Sequence, residues 1–162
     1  MVTNAPAIII RRAARDFSDW ERVRLLILDA FGYMGPRIDP PSSALRLTPE
    51  SIQAGAESGA LLLAYSTGDL VGCVFLHQKN DALYISKLAV SPTLQRAGIG
   101  RKLVEAARDE ARRRGIGMLE LETRVELTEN HAAFTRMGFI KTAETSHEGF
   151  DRTTSIVMRA PV

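Results

Sequence analysis

One stretch narrows the possible folds of this chain more than any other: Leu88-Ala89-Val90-Ser91-Pro92-Thr93-Leu94-Gln95-Arg96-Ala97-Gly98-Ile99-Gly100-Arg101. An apolar strand runs out, a short polar loop turns, and a long helix opens on two glycines. The first turn of a helix carries backbone N–H groups without intrahelical acceptors and a partial positive charge, which makes it a place for a phosphate. Gly98 and Gly100 remove side chains where a pyrophosphate would approach the backbone. Arg96 and Arg101 flank that point and can add charge-assisted hydrogen bonds. Two known phosphate loops do not fit. A Walker loop needs G-x-x-x-x-G-K-[ST], which is absent, and a dinucleotide fingerprint needs a third glycine at Leu103 in a first βαβ unit. Glycines at a helix start also arise from packing alone, so their setting has to carry the reading.

That setting is an alternation of strands and helices. Residues 8–13 are rich in β-branched residues and read as a first strand, and residues 16–31 repeat apolar positions at helical spacing (Trp20, Val23, Ile27, Ala30, Phe31). Residues 32–41 hold Gly32, Gly35, Pro36, Pro40 and Pro41 and form a loop with room for a short helix on either side. Thr48-Pro49-Glu50 predicts a capped helix to about Ala56. Residues 60–66 and 70–77 form a hairpin about Thr67-Gly68-Asp69, and a turn at residues 78–81 leads to a strand over 82–90. The helix over 98–114 has an apolar stripe of Ile99, Leu103, Ala107 and Ala111 and ends at Gly115. A strand over 118–125, a helix over 128–137 with Thr128 as N-cap and Gly138 as its stop, and strands over 139–144 and 153–159 complete the order. The link at 124–129 reads as long. The fold expected is α/β, or α+β: a mixed sheet with helices on both faces, in one domain spanning 1–162.

Charge and cysteine content exclude several classes. Twenty-one Lys plus Arg against 19 Asp plus Glu leave +2, too little for a general nucleic-acid binder, and no apolar run reaches the ~20 residues of a membrane helix. Met1 to Pro6 contain no basic residue ahead of Ile8-Ile9-Ile10, so no secretory signal is expected and the protein reads as cytoplasmic. The single cysteine, Cys73, lies in an apolar run and is expected to be a buried, inert thiol. With three scattered histidines there is no ligand spacing for a metal. Arg112, Arg113 and Arg114 read as a solvated helix end whose cations offset the dipole.

Gln95-Arg96-Ala97-Gly98-Ile99-Gly100 resembles the Q/R-x-x-G-x-G/A signature of the GNAT superfamily of N-acyltransferases, and it follows a strand ending Leu88-Ala89-Val90 as that family requires. Downstream, Asn130-His131-Ala132-Ala133-Phe134-Thr135-Arg136-Met137-Gly138-Phe139 is similar to the family's Asn-x-x-Ala-helix-Gly-Phe segment, and the opening strand with Arg11 before a helix is similar too. Two motifs in order are far more specific than either alone. The resemblance covers nearly the whole chain. It implies a mostly antiparallel sheet of about seven strands, splayed between two central parallel strands, here 82–90 and 118–125. It implies acetyl-CoA as co-substrate and no metal. Leu88, Ala89 and Val90 would pair with the pantetheine arm as an added strand. The amides of Gln95, Arg96, Ala97, Gly98, Ile99, Gly100 and Arg101 would hold the pyrophosphate, and Asn130, Ala133, Phe134 and Arg136 would line the far side.

The reaction implied is direct attack of a neutral amine on the thioester in a ternary complex. An alkyl ammonium with pKa ~10.4 is almost wholly protonated at pH 7, so a base is useful, worth roughly 10²–10⁴-fold. Glu120 and Glu122 alternate with Leu119 and Leu121 on one strand, and Glu122, nearer the open end, is the first choice. His131 and His147 are weaker candidates; a solvated or salt-bridged carboxylate is the competing reading of Glu122 itself. The Leu88 N–H is the candidate oxyanion donor. Relatives often carry a tyrosine four residues before the Gly-Phe pair as the acid for the departing thiolate. Phe134 stands there instead, leaving water, Tyr33 or Tyr84. The missing hydroxyl sustains an alternative, a non-catalytic acyl-CoA-binding sensor of the same fold. The acceptor, a small-molecule or peptide amine, would be framed by residues 32–41 and 147–153. A homodimer is expected from the habits of small relatives, with neither nucleic acid nor membrane as a partner.

Overall fold

The computed structural model describes residues 6–162; residues 1–5, part of the segment read for a secretory signal, lie outside them. Seven strands form one sheet in the order β1-β2-β3-β4-β5-β7-β6. They are β1 (Ile8–Arg12), β2 (Ala60–Ser66), β3 (Asp69–Lys79), β4 (Ala82–Val90), β5 (Met118–Arg124), β6 (Ile140–Thr145) and β7 (Ser155–Pro161). Every neighbouring pair is antiparallel except β4 and β5. Four α-helices join them: α1 (Trp20–Phe31), α2 (Pro49–Ser58), α3 (Ile99–Arg113) and α4 (Thr128–Arg136). The splayed mixed sheet read from the sequence is the one observed.

The sheet is buried on both faces, which is why its central strands are apolar at nearly every position. In β2, Ala60, Leu62 and Ala64 pack with α3, while Leu61 and Leu63 pack with α1 and α2. The α3 stripe of Ile99, Leu103, Ala107 and Ala111 is at most 1% exposed, so the predicted face meets the sheet. Gly72 lets α3 approach: a Cβ there would lie 3.1 Å from both Ile99 Cγ2 and Leu103 Cδ1. Thr48 and Ser51 form a capping box at the start of α2, and Gly115 closes α3 at φ +70°.

Several boundaries move. α1 begins at Trp20 rather than Asp16. The β3–β4 turn tightens to Asn80 and Asp81, because the strands stay paired out to Lys79 and Ala82. Thr128 is the first residue of α4 and caps nothing; Leu127 precedes it without a side-chain cap bond. The link from β5 to α4 is only Val125, Glu126 and Leu127, so no long insertion remodels the mouth of the site. Leu127 is buried, and its packing anchors this short link.

Candidate active site

The parallel pair opens the sheet. β4 and β5 register only at Leu83↔Leu119 and Tyr84↔Glu120; beyond these pairs the strands part. The cause lies on the other side of β4. Cys73 faces Ala89 and Phe75 faces Ser86, so Lys87 and Leu88 together stand opposite Val74 in a bulge. Lys87 takes the left-handed conformation, φ +52°. A bulge bends its strand, and β4 bends away from β5 where Leu88 begins the phosphate-type loop.

The loop delivers what the sequence promised locally. Arg96 (φ +69°) and Gly98 (φ +81°) are both left-handed, and the chain turns into α3 on them. No side chain caps α3, and its first backbone bond runs from Lys102 N–H to Gly98 O (3.0 Å). The amides of Ile99, Gly100 and Arg101, ahead of that bond, have no helical acceptor. They border a cavity of about 440 Å³. A Cβ on Gly100 would find only Val90 Cγ2, at 3.9 Å, so the bare Cα faces open space.

Leu88, Ala89, Val90, Gln95, Arg96, Gly98, Ile99, Gly100 and Arg101 line this cavity on one side, and Asn130, Ala133, Phe134 and Arg136 line it on the other. Of the residues singled out for the cofactor, Ala97 alone stands outside the lining; its N–H turns back to Leu94 O (3.4 Å). The α4 wall is set by α3. Arg108 donates to Met137 O (2.5 Å) at the end of α4 and lies over the Phe139 ring at 5.9 Å. Phe139 in turn meets Phe134 edge-on at 5.7 Å. Phe134 therefore offers an apolar ring and no proton.

A second cavity, about 510 Å³, continues through the gap. Phe31, Met34, Leu88, Asn130 and Phe134 belong to both walls, so the two cavities adjoin where β4 and β5 part. Glu122 and Tyr84 line the second cavity; Tyr33 lines the first. Burial, then the carboxylates of Glu122 and Glu120, push the Tyr84 hydroxyl above its ordinary pKa, so it stays a neutral donor beside Glu122. Glu120 is committed elsewhere, between Lys79 Nζ (3.5 Å) and Arg159 Nε (3.3 Å). His131 Nε2 engages Arg124 O (2.8 Å), away from both cavities. His147 reaches the second cavity, but its Nδ1 is tied to Thr154 Oγ1 (2.5 Å) and burial lowers its pKa.

The roof over the second cavity is strapped down by charge. Arg37 pairs with Glu129 and also donates to Glu126 O (3.3 Å). Asp39 N–H donates to Glu126 Oε2 (2.9 Å), and Arg152 donates to Asp39 O (2.9 Å). Pro40 and Pro41 of the predicted framing loop, with His147, Glu148 and Phe150 of the other, line the chamber. Missed from the sequence were Phe31, Ser43, Arg46, Lys87 and Arg124 in its walls, whereas Met34 belongs to the predicted framing loop. One signal was present: Lys87 is a lone cation in an otherwise apolar strand, adjacent to the motif. Among the described residues no group of His, Cys, Asp and Glu could hold a metal, and no helix is long and apolar enough to cross a membrane.

Comparison with known proteins agrees with this geometry. The family model described as Acetyltransferase (GNAT) family matches residues 20–139. An IAA acetyltransferase of Azospirillum brasilense is 35% identical over 80 residues, covering 48% of this chain and 52% of that one. A streptothricin acetyltransferase of Streptomyces lavendulae is 34% identical over 123 residues, covering 68% and 64%. The chain thus spans from about half to just under two thirds of these curated relatives. A GNAT family acetyltransferase from Elizabethkingia anophelis, solved with acetyl-CoA bound, shares the fold at TM-score 0.68 and 21% identity, over 96% of this chain and 98% of that one. With a family match across most of its length, a sheet parted between its two parallel strands and uncapped amides at the gap, this chain belongs to the GNAT acetyltransferase family.

Proposed function

We propose that the chain is an acetyl-CoA-dependent N-acetyltransferase, working as one domain, that moves an acetyl group from the thioester to a primary amine inside a ternary complex. One observation carries this reading: the cavity at the amide-lined start of α3 and a chamber holding a carboxylate share five wall residues, Leu88 of β4 among them, where β4 and β5 part. The residues suit the co-substrate. Bare Gly100 and the uncapped α3 amides accommodate a pyrophosphate, with Arg96, Arg101 and Arg136 on the same cavity to offset its charge. Leu88, Ala89 and Val90 offer a strand edge for the pantetheine amides, with Asn130, Ala133 and Phe134 opposite.

The acceptor enters from the second cavity as an ammonium. Glu122, directly or through water, takes its proton, and the neutral nitrogen attacks the thioester carbon. The Leu88 N–H, at the bulge, is placed to donate to the carbonyl oxygen as it gains charge. The C–N bond forms, the C–S bond breaks with the sulfur leaving as thiolate, and the proton the nitrogen still has to lose passes to that thiolate, directly or through water. A simple thiol has a pKa of ~8.5, so departure without a side-chain acid at Phe134 is chemically reasonable. Tyr84, held neutral, can donate a hydrogen bond in the same chamber.

Calorimetry with acetyl-CoA and thiol release with a panel of primary amines test the proposal. The wild-type chain is expected to bind and to release coenzyme A only when an amine is present. Gly100→Glu, which fills the phosphate space with a like charge, is expected to abolish the binding heat. A silent titration with wild-type protein would overturn the reading. Binding without release from any amine would favour a sensor.

A further inference from the structure

Eleven of the 21 Lys and Arg side chains in this molecule hold a carboxylate, Arg12 among them. Arg24, Arg37, Arg108, Arg112, Arg113 and Arg114 each hold one. Lys79, Lys141, Arg152 and Arg159 do as well. Two trios that line the cavities do not, among the described residues. Arg96, Arg101 and Arg136 surround the first cavity, where phosphates would account for them. Arg46, Lys87 and Arg124 line the second, on the far side of the gap. The donor cannot account for these three, because the thiol end of a pantetheine arm carries no charge.

The second trio is a built arrangement. Lys87 leaves the bulge half-buried, and its Nζ donates to Ser43 Oγ (3.2 Å) on the 3-10 turn Ser43–Arg46. That bond holds the ammonium beside the turn that carries Arg46. Burial, and after it the neighbouring Arg46 cation, lower the Lys87 pKa. Across the chamber, Arg124 spends one nitrogen on Pro41 O (3.1 Å), while its Nη1 is buried with no partner. Burial lowers the Arg124 pKa, and Glu126 and Asp39 offset that only in part, from beyond ion-pair distance. Bringing cations together out of water without an anion is unfavourable, and a bound anion reverses the balance. The lining carboxylates are Glu122 and Glu148, and Glu122 stands on β5 beside Tyr84.

We propose that the second cavity selects small amines that carry their own anionic group, a carboxylate or a phosphorus oxyacid, with the anion at Lys87 and Arg46, Arg124 adding to the field, and the amine at Glu122. This rests on the acetyltransferase reading above and adds the acceptor class to it. Arg46 and Lys87 act here as specificity residues; neither takes part in proton transfer. The chamber then complements a zwitterion: carboxylate for the ammonium, cations for the acid.

The test is thiol release from acetyl-CoA with matched pairs. One series sets α- and ω-amino acids against their amides, and another sets aminoalkylphosphonates against the corresponding alkylamines, all corrected for the fraction of free amine. The acid-bearing member of at least one pair is expected to exceed its neutral mate in kcat/KM by about ten-fold or more, through KM, since charge-assisted hydrogen bonds reach that size. Comparing the two series separates a carboxylate from a phosphorus oxyacid. Arg46→Gln, at an exposed position, and Lys87→Met should each cut that ratio by about ten-fold. If Lys87→Met fails to fold, Arg46→Gln reads the same ratio. Release from amines with a ratio of one or below in every pair, or a ratio untouched by Arg46→Gln, overturns the acid-bearing acceptor and leaves the transferase standing. No release from any amine overturns the transferase itself, and the acceptor class falls with it.

Discussion

Glu122 and Glu120 differ by two positions on β5, yet their surroundings assign them different work. Glu120 is held by Lys79 and Arg159, whereas Glu122 is exposed to the chamber and forms no ion pair. Glu122→Gln is expected to lower kcat by roughly 10²–10⁴-fold while calorimetry still registers acetyl-CoA; wild-type turnover would remove Glu122 from the mechanism. Cys73 illustrates the opposite fate. It is fully buried, and burial pushes its thiol up to about 12. A thiol reagent at pH 8 should leave the folded protein unlabelled and modify one site on unfolding in guanidinium. Labelling at equal rates in both states would contradict the packing described for β3. The sequence already pointed to both residues: Cys73 by its apolar neighbours, Glu122 by its parity on the strand. It ranked Glu122 ahead of Glu120 only by nearness to the open end of the strand; the partners that occupy Glu120 are supplied by β3 and β7.

At the scale of elements, α3 is the part on which the site depends. Its start must sit on the β3–β4 edge closely enough for its free amides to meet the gap, and Gly72 provides that closeness. Gly72→Val is expected to overpack Ile99 and Leu103 and to cost about 1–3 kcal/mol in a denaturant titration, with weaker acetyl-CoA binding. Gly117, where a Cβ would meet nothing within 4 Å, supplies the comparison: Gly117→Ala should leave the midpoint in place. Equal effects from the two would show that α3 packing does not set the site. The period of the α3 stripe and the capping box of α2 were legible in order and spacing, because both are local. The bulge at Lys87 was not. It arises from pairing β4 with β3, an event remote in sequence that leaves no local mark beyond one lysine in an apolar run.

Across the whole molecule, the second cavity is roofed by contacts between distant segments, and they carry a pH dependence. Arg37 holds the Glu129 carboxyl at about 2, against an ordinary value of 4.5. A depressed carboxyl contributes its stability fully above the unfolded value and loses it as pH falls toward the folded one. The stability gap between wild type and Glu129→Gln should thus be present at pH 6 and close between about pH 4.5 and 2; melting temperatures across that range read it. A gap constant with pH would mean the strap is not ionic. Local pattern and two motifs were enough to determine the family, the order of elements, the glycine-opened helix and the stripe it buries, since each depends on neighbours within a few turns of chain. Where β4 leaves β5, which carboxylate remains unpaired and how three cations gather around one chamber were decided only by tertiary structure, because strand pairing and charge neutralisation join residues that stand far apart in the sequence.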